Sequence, residues 1–205
     1  MSDKEKINLT VPISLKAVTD LKVNDEVYVN GSVYTMMYPN HFTNIINALE
    51  NHEKPAFDLN DGIIYHTGTI IIPHNGSYDL RAIGTTTSSK FNKYMPQLIR
   101  LSGVRAIIGK GGMDEDTLQA MKECGCVYLS AVGGCSAIYT HKVAAVEDEF
   151  WPEKSWANSS LKLRLENFGP LFVAMDAHGN SIYKDVISNA DQKRQKIYHY
   201  LNILS

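Results

Sequence analysis

Residues 104–131 read VRAIIGKGGMDEDTLQAMKECGCVYLSA, and this stretch decides the fold class. The apolar run Val104 to Ile108 is a buried-strand signal that stops at Gly109-Lys110-Gly111-Gly112. Asp114 then stands as an N-cap for a helix to Glu123, with acidic residues in the first turn where the helix dipole favours them. A second apolar run, Val127 to Ala131, stops at Gly133-Gly134-Cys135. Strand, helix and strand at this spacing make a parallel crossover and predict an α/β layer.

Working outward, the alternation continues on both sides. A helix near Lys90 to Leu101 ending at Gly103 precedes the stretch, and a short helix Ser136 to Lys142 follows it. Leu161 to Leu165 is strand-like, and Leu171 to Asp176 is a strand before the turn His178-Gly179-Asn180. A polar helix Asn189 to Leu204 closes the chain. The first half reads differently, as strands with hairpin-type connections: Leu9 to Ile13, Glu26 to Val29, Ser32 to Met36, Ile63 to Ile72 and Tyr78 to Ile83. Asn60-Asp61-Gly62 and His74-Asn75-Gly76 are turn signals there, and Pro39 opens a helix to Glu50. The expected architecture is a single domain over 1–205 with two sheet layers of mixed strands and helices packed on one side. Trp151 to Ser160 is expected to be a loop within that domain and a possible subunit contact.

With 20 basic and 22 acidic side chains, the formal charge of −2 offers no electrostatic reason to expect nucleic acid or an anionic membrane. The opening Met-Ser-Asp-Lys-Glu-Lys has no apolar core of a signal peptide, and no apolar run is long enough to span a bilayer. The expected location is the cytoplasm. Cys124, Cys126 and Cys135 make no disulfide framework, and no neighbour gives them zinc-ligand spacing. Small buried thiols are favoured over ligands of an iron–sulfur cluster.

The candidate chemistry lies where the predicted strands end. Gly84-Thr85-Thr86-Thr87-Ser88-Ser89-Lys90 lacks the second glycine and the following hydroxyl of a phosphate loop. Gly109-x-Gly111 lacks the third glycine of a dinucleotide fingerprint. There is no Gly-x-Ser-x-Gly elbow and no His-Glu-x-x-His helix. Thr86 and Thr87 are the best candidates to meet a small carboxylate through hydroxyls and backbone N–H groups; capping of the next helix is the competing reading. Lys110, between glycines, is either an anion ligand or a solvated turn lysine. Lys90 opposes the helix dipole, which hints at a nearby anion. A lone helical histidine such as His41 is usually structural or exposed, and His66 within a strand is usually a core residue.

Those segments carry a family resemblance. Gly31 and Thr35, His66-x-Gly68, Gly84-x-Thr86-Thr87, Ile108-Gly109-Lys110-Gly111-Gly112, Gly133-Gly134, Phe168-Gly169-Pro170 and Asp176-x-His178-Gly179-Asn180 occur in order. The chain resembles the C-terminal domain, or separate β subunit, of class I fumarate hydratase and L(+)-tartrate dehydratase. The resemblance implies a swivelling β/β/α domain and a hydro-lyase acting on a dicarboxylic acid. It implies a partner α subunit holding a [4Fe–4S] cluster, with the active site shared and the assembly a homodimer or a hetero-oligomer of two α and two β subunits. It implies Thr86 as the base that removes a proton from carbon, with Thr87, Lys90, Lys110 and His41 in the substrate-binding set. Two positions depart from the family pattern. Thr-x-Arg-Asp-x-x-His becomes Thr35-Met36-Met37-Tyr38-Pro39-Asn40-His41, so Met37 stands where an arginine is usual. Lys90 also replaces an arginine, keeping charge without the bidentate fork. A catalytically inactive carboxylate-binding or regulatory module on the same fold is the alternative.

Overall fold

The computed structural model describes residues 6–74, 77–151 and 159–201. Its centre is three short parallel strands, β3 (Ile63–Tyr65), β6 (Ala106–Gly109) and β7 (Val127–Ser130), in adjacent positions of one sheet. They read as near-continuous apolar runs because both their faces are covered. Between β6 and β7 runs α4 (Glu115–Cys124), as the opening stretch predicts. The Asp114 carboxylate accepts the Thr117 N–H at 3.0 Å, and Gly125 ends the helix at φ +68°, a left-handed position that glycine adopts without strain.

The sheet is larger and more curled than this centre. β1 (Ile7–Thr10) lies parallel to β2 (Glu26–Thr35), and β2 lies parallel to β3. The long strand β9 (Ser160–Met175) runs antiparallel to β2 along one edge, and to β8 (Val143–Phe150) and then β7 along the other. Strands β2, β3, β6, β7 and β9 therefore form a closed circuit of pairings. Alternate residues such as Val29, Val33, Tyr65, Ile108, Leu129, Leu163 and Phe168 fill one core. The opposite face, with Ile64, Ile107 and Tyr128, packs against α2 (Pro39–Glu50), α3 (Met95–Ser102) and α4. Two five-residue helices, α1 (Leu15–Thr19) and α5 (Ser136–Thr140), pack on the other core together with the hairpin of β4 (Thr67–His74) and β5 (Ser77–Thr85). The α/β class with mixed sheets holds. The helices divide between the two cores, with α2, α3 and α4 on one side and α1 and α5 on the other.

Several expectations are corrected. Of the early strands only β4 and β5 form a hairpin; α1, capped by the Ser14 hydroxyl, makes the β1–β2 connection a parallel one. Glu26–Val29 and Ser32–Met36 are one strand, bulged near Gly31, whose φ of +104° suits glycine. The run Ile63 to Ile72 is two strands, since the chain leaves the main sheet at His66 and enters the hairpin. The helix expected from Lys90 begins as a 3₁₀ turn, Ser88–Phe91, and α3 starts only at Met95 because Pro96 is tolerated in a first turn and not within a helix. Leu161–Leu165 and Leu171–Met175 belong to the single strand β9, and Asp176 opens the turn after it. The acidic β8 had no counterpart in the sequence reading. The last helix, α6 (Ile182–Tyr200), starts at the Ser181 cap, not at Asn189. Asn75, Gly76 and 152–158 lie outside the described residues.

The turn after β9 is structural. Asp176 is 1% exposed and accepts the N–H groups of Val23, His178 and Asn180 and the Asn180 side chain at 2.9–3.3 Å. Burial alone would raise this carboxyl, but the Asn180, His178 and Val23 hydrogen bonds outweigh it and hold it below its ordinary value. Among the described residues no helix is long and apolar enough to cross a membrane.

Candidate functional site

Parallel strands leave their carboxyl ends on one edge, and here that edge gathers the predicted loops. Past β3, the His66 N–H reaches Ile108 O at 2.8 Å; past β7, the Ala131 N–H reaches Gly109 O at 2.8 Å. The threonine loop after β5 is stitched into this edge as an extra rung. Thr86 N–H donates to His66 O at 2.8 Å, Lys110 N–H to Thr86 O at 3.3 Å, and Ser88 N–H to Lys110 O at 2.9 Å. Thr87 and Lys110 pair as an isolated parallel bridge. Thr86, Thr87 and Lys110 are thus brought together by backbone bonds, which hold their positions more tightly than side-chain contacts alone.

The three consecutive threonines do different things. The Thr85 and Tyr65 hydroxyls are hydrogen-bonded at 2.7 Å. Thr86 is part-exposed and its hydroxyl donates to Met37 Sδ at 3.4 Å. Thr87 occupies the cap position of the 3₁₀ turn, yet its side chain makes no capping hydrogen bond. The competing reading of the loop as a cap therefore lacks its bond. Lys110 is half-buried with its stem beside Gly133, and Lys90 is exposed on the 3₁₀ turn. Among the described residues neither lysine is ion-paired with a carboxylate.

Beneath the loop lies a buried polar group. Ser88 is 0% exposed; its Oγ accepts the Tyr128 hydroxyl at 2.9 Å and lies 2.9 Å from His66 Nδ1. His66 is enclosed by the rings of Phe42 and Phe91, and burial pushes its pKa from 6.5 down to about 3, so the imidazole is neutral. A Cβ on Gly109 would overlap the Ser88 hydroxyl, which explains a glycine at the end of β6. Burial likewise raises the Tyr128 hydroxyl, keeping it a donor. The sequence reading placed His66 in the core but did not see Ser88 or Tyr128. A tyrosine in the middle of the apolar strand Val127–Ser130 was the available signal, because a buried phenol needs a partner.

His41 is buried as well. It is 1% exposed between Tyr38 and Trp151, and its Nδ1 accepts the Met37 N–H at 3.3 Å, so it reaches the site through the Met37 backbone. Met37 and Thr86 face a cleft of about 470 Å3 whose other wall is the start of the hairpin. Two larger hollows, about 600 and 500 Å3, flank α6 and contain none of the predicted site residues. The predicted site residues lie at the strand ends, apart from both hollows. The cysteines of this chain do not fit a cluster: Cys126 is fully buried with its thiol pushed up by burial, and no group of three or more His, Cys, Asp or Glu among the described residues is placed to hold a metal ion.

Residues 1–186 match the family described as Fumarase C-terminus. The chain is 41% identical over 198 residues to a protein of Methanocaldococcus jannaschii provisionally named L(+)-tartrate dehydratase subunit beta, covering 94% of this chain and 95% of that one. It is 28% identical over 174 residues, 85% of each chain, to the L(+)-tartrate dehydratase subunit beta of Escherichia coli K12. It is 38% identical over 198 residues, 94% of this chain, to a Geobacillus stearothermophilus protein provisionally named class I fumarate hydratase; the match spans only 36% of that longer protein.

Proposed function

The chain belongs to the fumarase C-terminus family, and from that premise we propose that it is the β subunit of an iron–sulfur-dependent hydro-lyase that removes water from a 2-hydroxy dicarboxylic acid. The relatives' names support the reaction class, and the β-subunit names support a partner α subunit. The observation that carries the reading is the stitched edge itself. It presents two threonine hydroxyls and a half-buried lysine that has no carboxylate partner among the described residues, at the ends of parallel strands.

Each side chain has a task in this proposal. Lys110 and the Thr87 hydroxyl hold one substrate carboxylate, and Lys90 adds positive charge from the solvent side. Thr86 Oγ1 faces the carbon next to that carboxylate and takes its proton. A hydroxyl is a strong base only as its alkoxide, and the nearby ammonium charges favour that form. A cluster on the partner would act as a Lewis acid on the departing hydroxyl. His66, Ser88 and Tyr128 touch no substrate and keep the loop in place.

The test is anaerobic affinity purification of the chain from its native cells, with assays for iron, a cysteine-bearing partner and dehydration of malate and tartrate. Iron, partner and turnover together support the β-subunit reading. A stable chain without partner or iron favours a non-catalytic carboxylate-binding module on the same fold.

A further inference from the structure

Building on the hydro-lyase reading, we infer that the cleft between Met37 and the β4–β5 hairpin is a subsite for an uncharged alkyl branch on the acid. The branch is carried by the carbon that gives up its proton, so the substrate is an alkyl-substituted 2-hydroxy diacid.

Position comes first. Thr86 lines the cleft and is tied to Met37 Sδ by its hydroxyl, whereas Lys90 and Lys110 are absent from the lining. Two substituents remain on a carbon that faces Thr86 Oγ1 with its carboxylate on Lys110; the carbinol carbon turns toward the partner subunit, and the branch lies along Met37. Space comes next. Gly84 leaves room, since among the described residues a Cβ there would meet only Gly68 O, at 3.9 Å. At Gly68 a Cβ would press on Met37 Sδ at 3.0 Å, so this glycine lets the thioether lie against the hairpin.

The lining chemistry decides the class of group. Met37, Tyr38, Thr69, Ile70, Ala82 and Ser136 contribute hydroxyls, a thioether and hydrocarbon, and among the described residues none that lines the cleft carries a charge. A carboxylate there would lose water without gaining a counter-charge, whereas an alkyl group gains by leaving water. Ile70, 51% exposed at the rim, is an apolar side chain available to such a branch. The unbranched thioether of Met37 adapts to branches of different shape.

The test uses the anaerobically purified complex with its cluster-bearing partner, and compares kcat/KM for malate and 3-propylmalate. Burial of a methylene is worth about fourfold, so the propylated acid is expected to be favoured on the order of 10-fold or more. Met37→Arg is expected to reverse that preference. A second readout is independent of turnover: the full chain, labelled at its methionine methyls, is titrated with propylsuccinate and with succinate. The Met37 methyl signal, assigned by its loss in Met37→Leu, is expected to shift with propylsuccinate only. An unmoved Met37 signal with malate preferred overturns the subsite and leaves the hydro-lyase reading standing. A shifted signal in a complex that dehydrates none of these acids keeps the subsite and overturns the reaction.

Discussion

Thr86 has two unlike flanks. On one side lie Thr87 and Lys110, fixed by backbone hydrogen bonds and underpinned by Ser88, Tyr128 and His66. On the other lie Met37 and the start of the hairpin, where the link to Thr86 is one bond to sulfur, a weak acceptor. The first flank is cationic and built on the main sheet; the second is neutral and built from side chains. Under the proposed function, the contrast means that one end of the substrate is positioned by the fold, and that the identity of the other group is set by replaceable side chains. Changes on the first flank should cost activity or stability, and changes on the second should alter preference.

Lys110→Ala tests the cationic flank. Losing a charge-assisted contact to the carboxylate is expected to lower kcat/KM by about 10- to 100-fold, mostly through KM, with partial recovery in Lys110→Arg. Steady-state kinetics of the complex read this; an unchanged KM would place the carboxylate elsewhere. Ser88→Ala tests the underpinning. It leaves the buried Tyr128 hydroxyl without its acceptor, for a cost of about 1–3 kcal/mol in urea unfolding. An unaltered midpoint would show that the three loops do not depend on Ser88.

His66 gives the same flank a pH signature. The unfolded imidazole takes a proton near 6.5, and the folded one only near 3. Below pH 6.5 protons therefore favour the unfolded chain, and stability is lost at about 1.4 kcal/mol per pH unit toward pH 3. Unfolding of wild type and His66→Gln across pH 7 to 4.5 should show that increment only in wild type; parallel curves would contradict it. The smallest effect is expected on the second flank. Met37→Leu keeps the cleft apolar with nearly the same volume, so stability should change by less than about 1.5 kcal/mol. Turnover should change far less than in the Lys110 variant. A loss as large as that of Lys110→Ala would erase the distinction between the flanks.

Much of the fold was legible where its signals are local. Strand runs ending in glycines, the Asp114 cap and Pro39 at a helix start are each readable within a few residues, and α2 spans Pro39–Glu50 as expected. The second flank was less legible. Ile63 to Ile72 is one apolar run by composition, and nothing in it marks His66 as the point where the chain changes sheets. Pairing direction is also a tertiary property, so parallel β1 and β2 looked like hairpin strands. The Gly169-Pro170 dipeptide reads as a breaker yet lies within β9, and Glu147, Asp148 and Glu149 concealed the strand β8. Ser88 and Tyr128 are 40 residues apart, a contact that no periodicity announces.

The most direct test of the account is Thr86→Ala in the complex with its partner, measured as both substrate affinity and dehydration rate. With the hydroxyl gone and the backbone stitching retained, the rate is expected to fall by about 10²- to 10⁴-fold while affinity changes little. Undiminished dehydration in that variant would contradict Thr86 as the proton-accepting residue and, with it, the catalytic role assigned to this strand-end site.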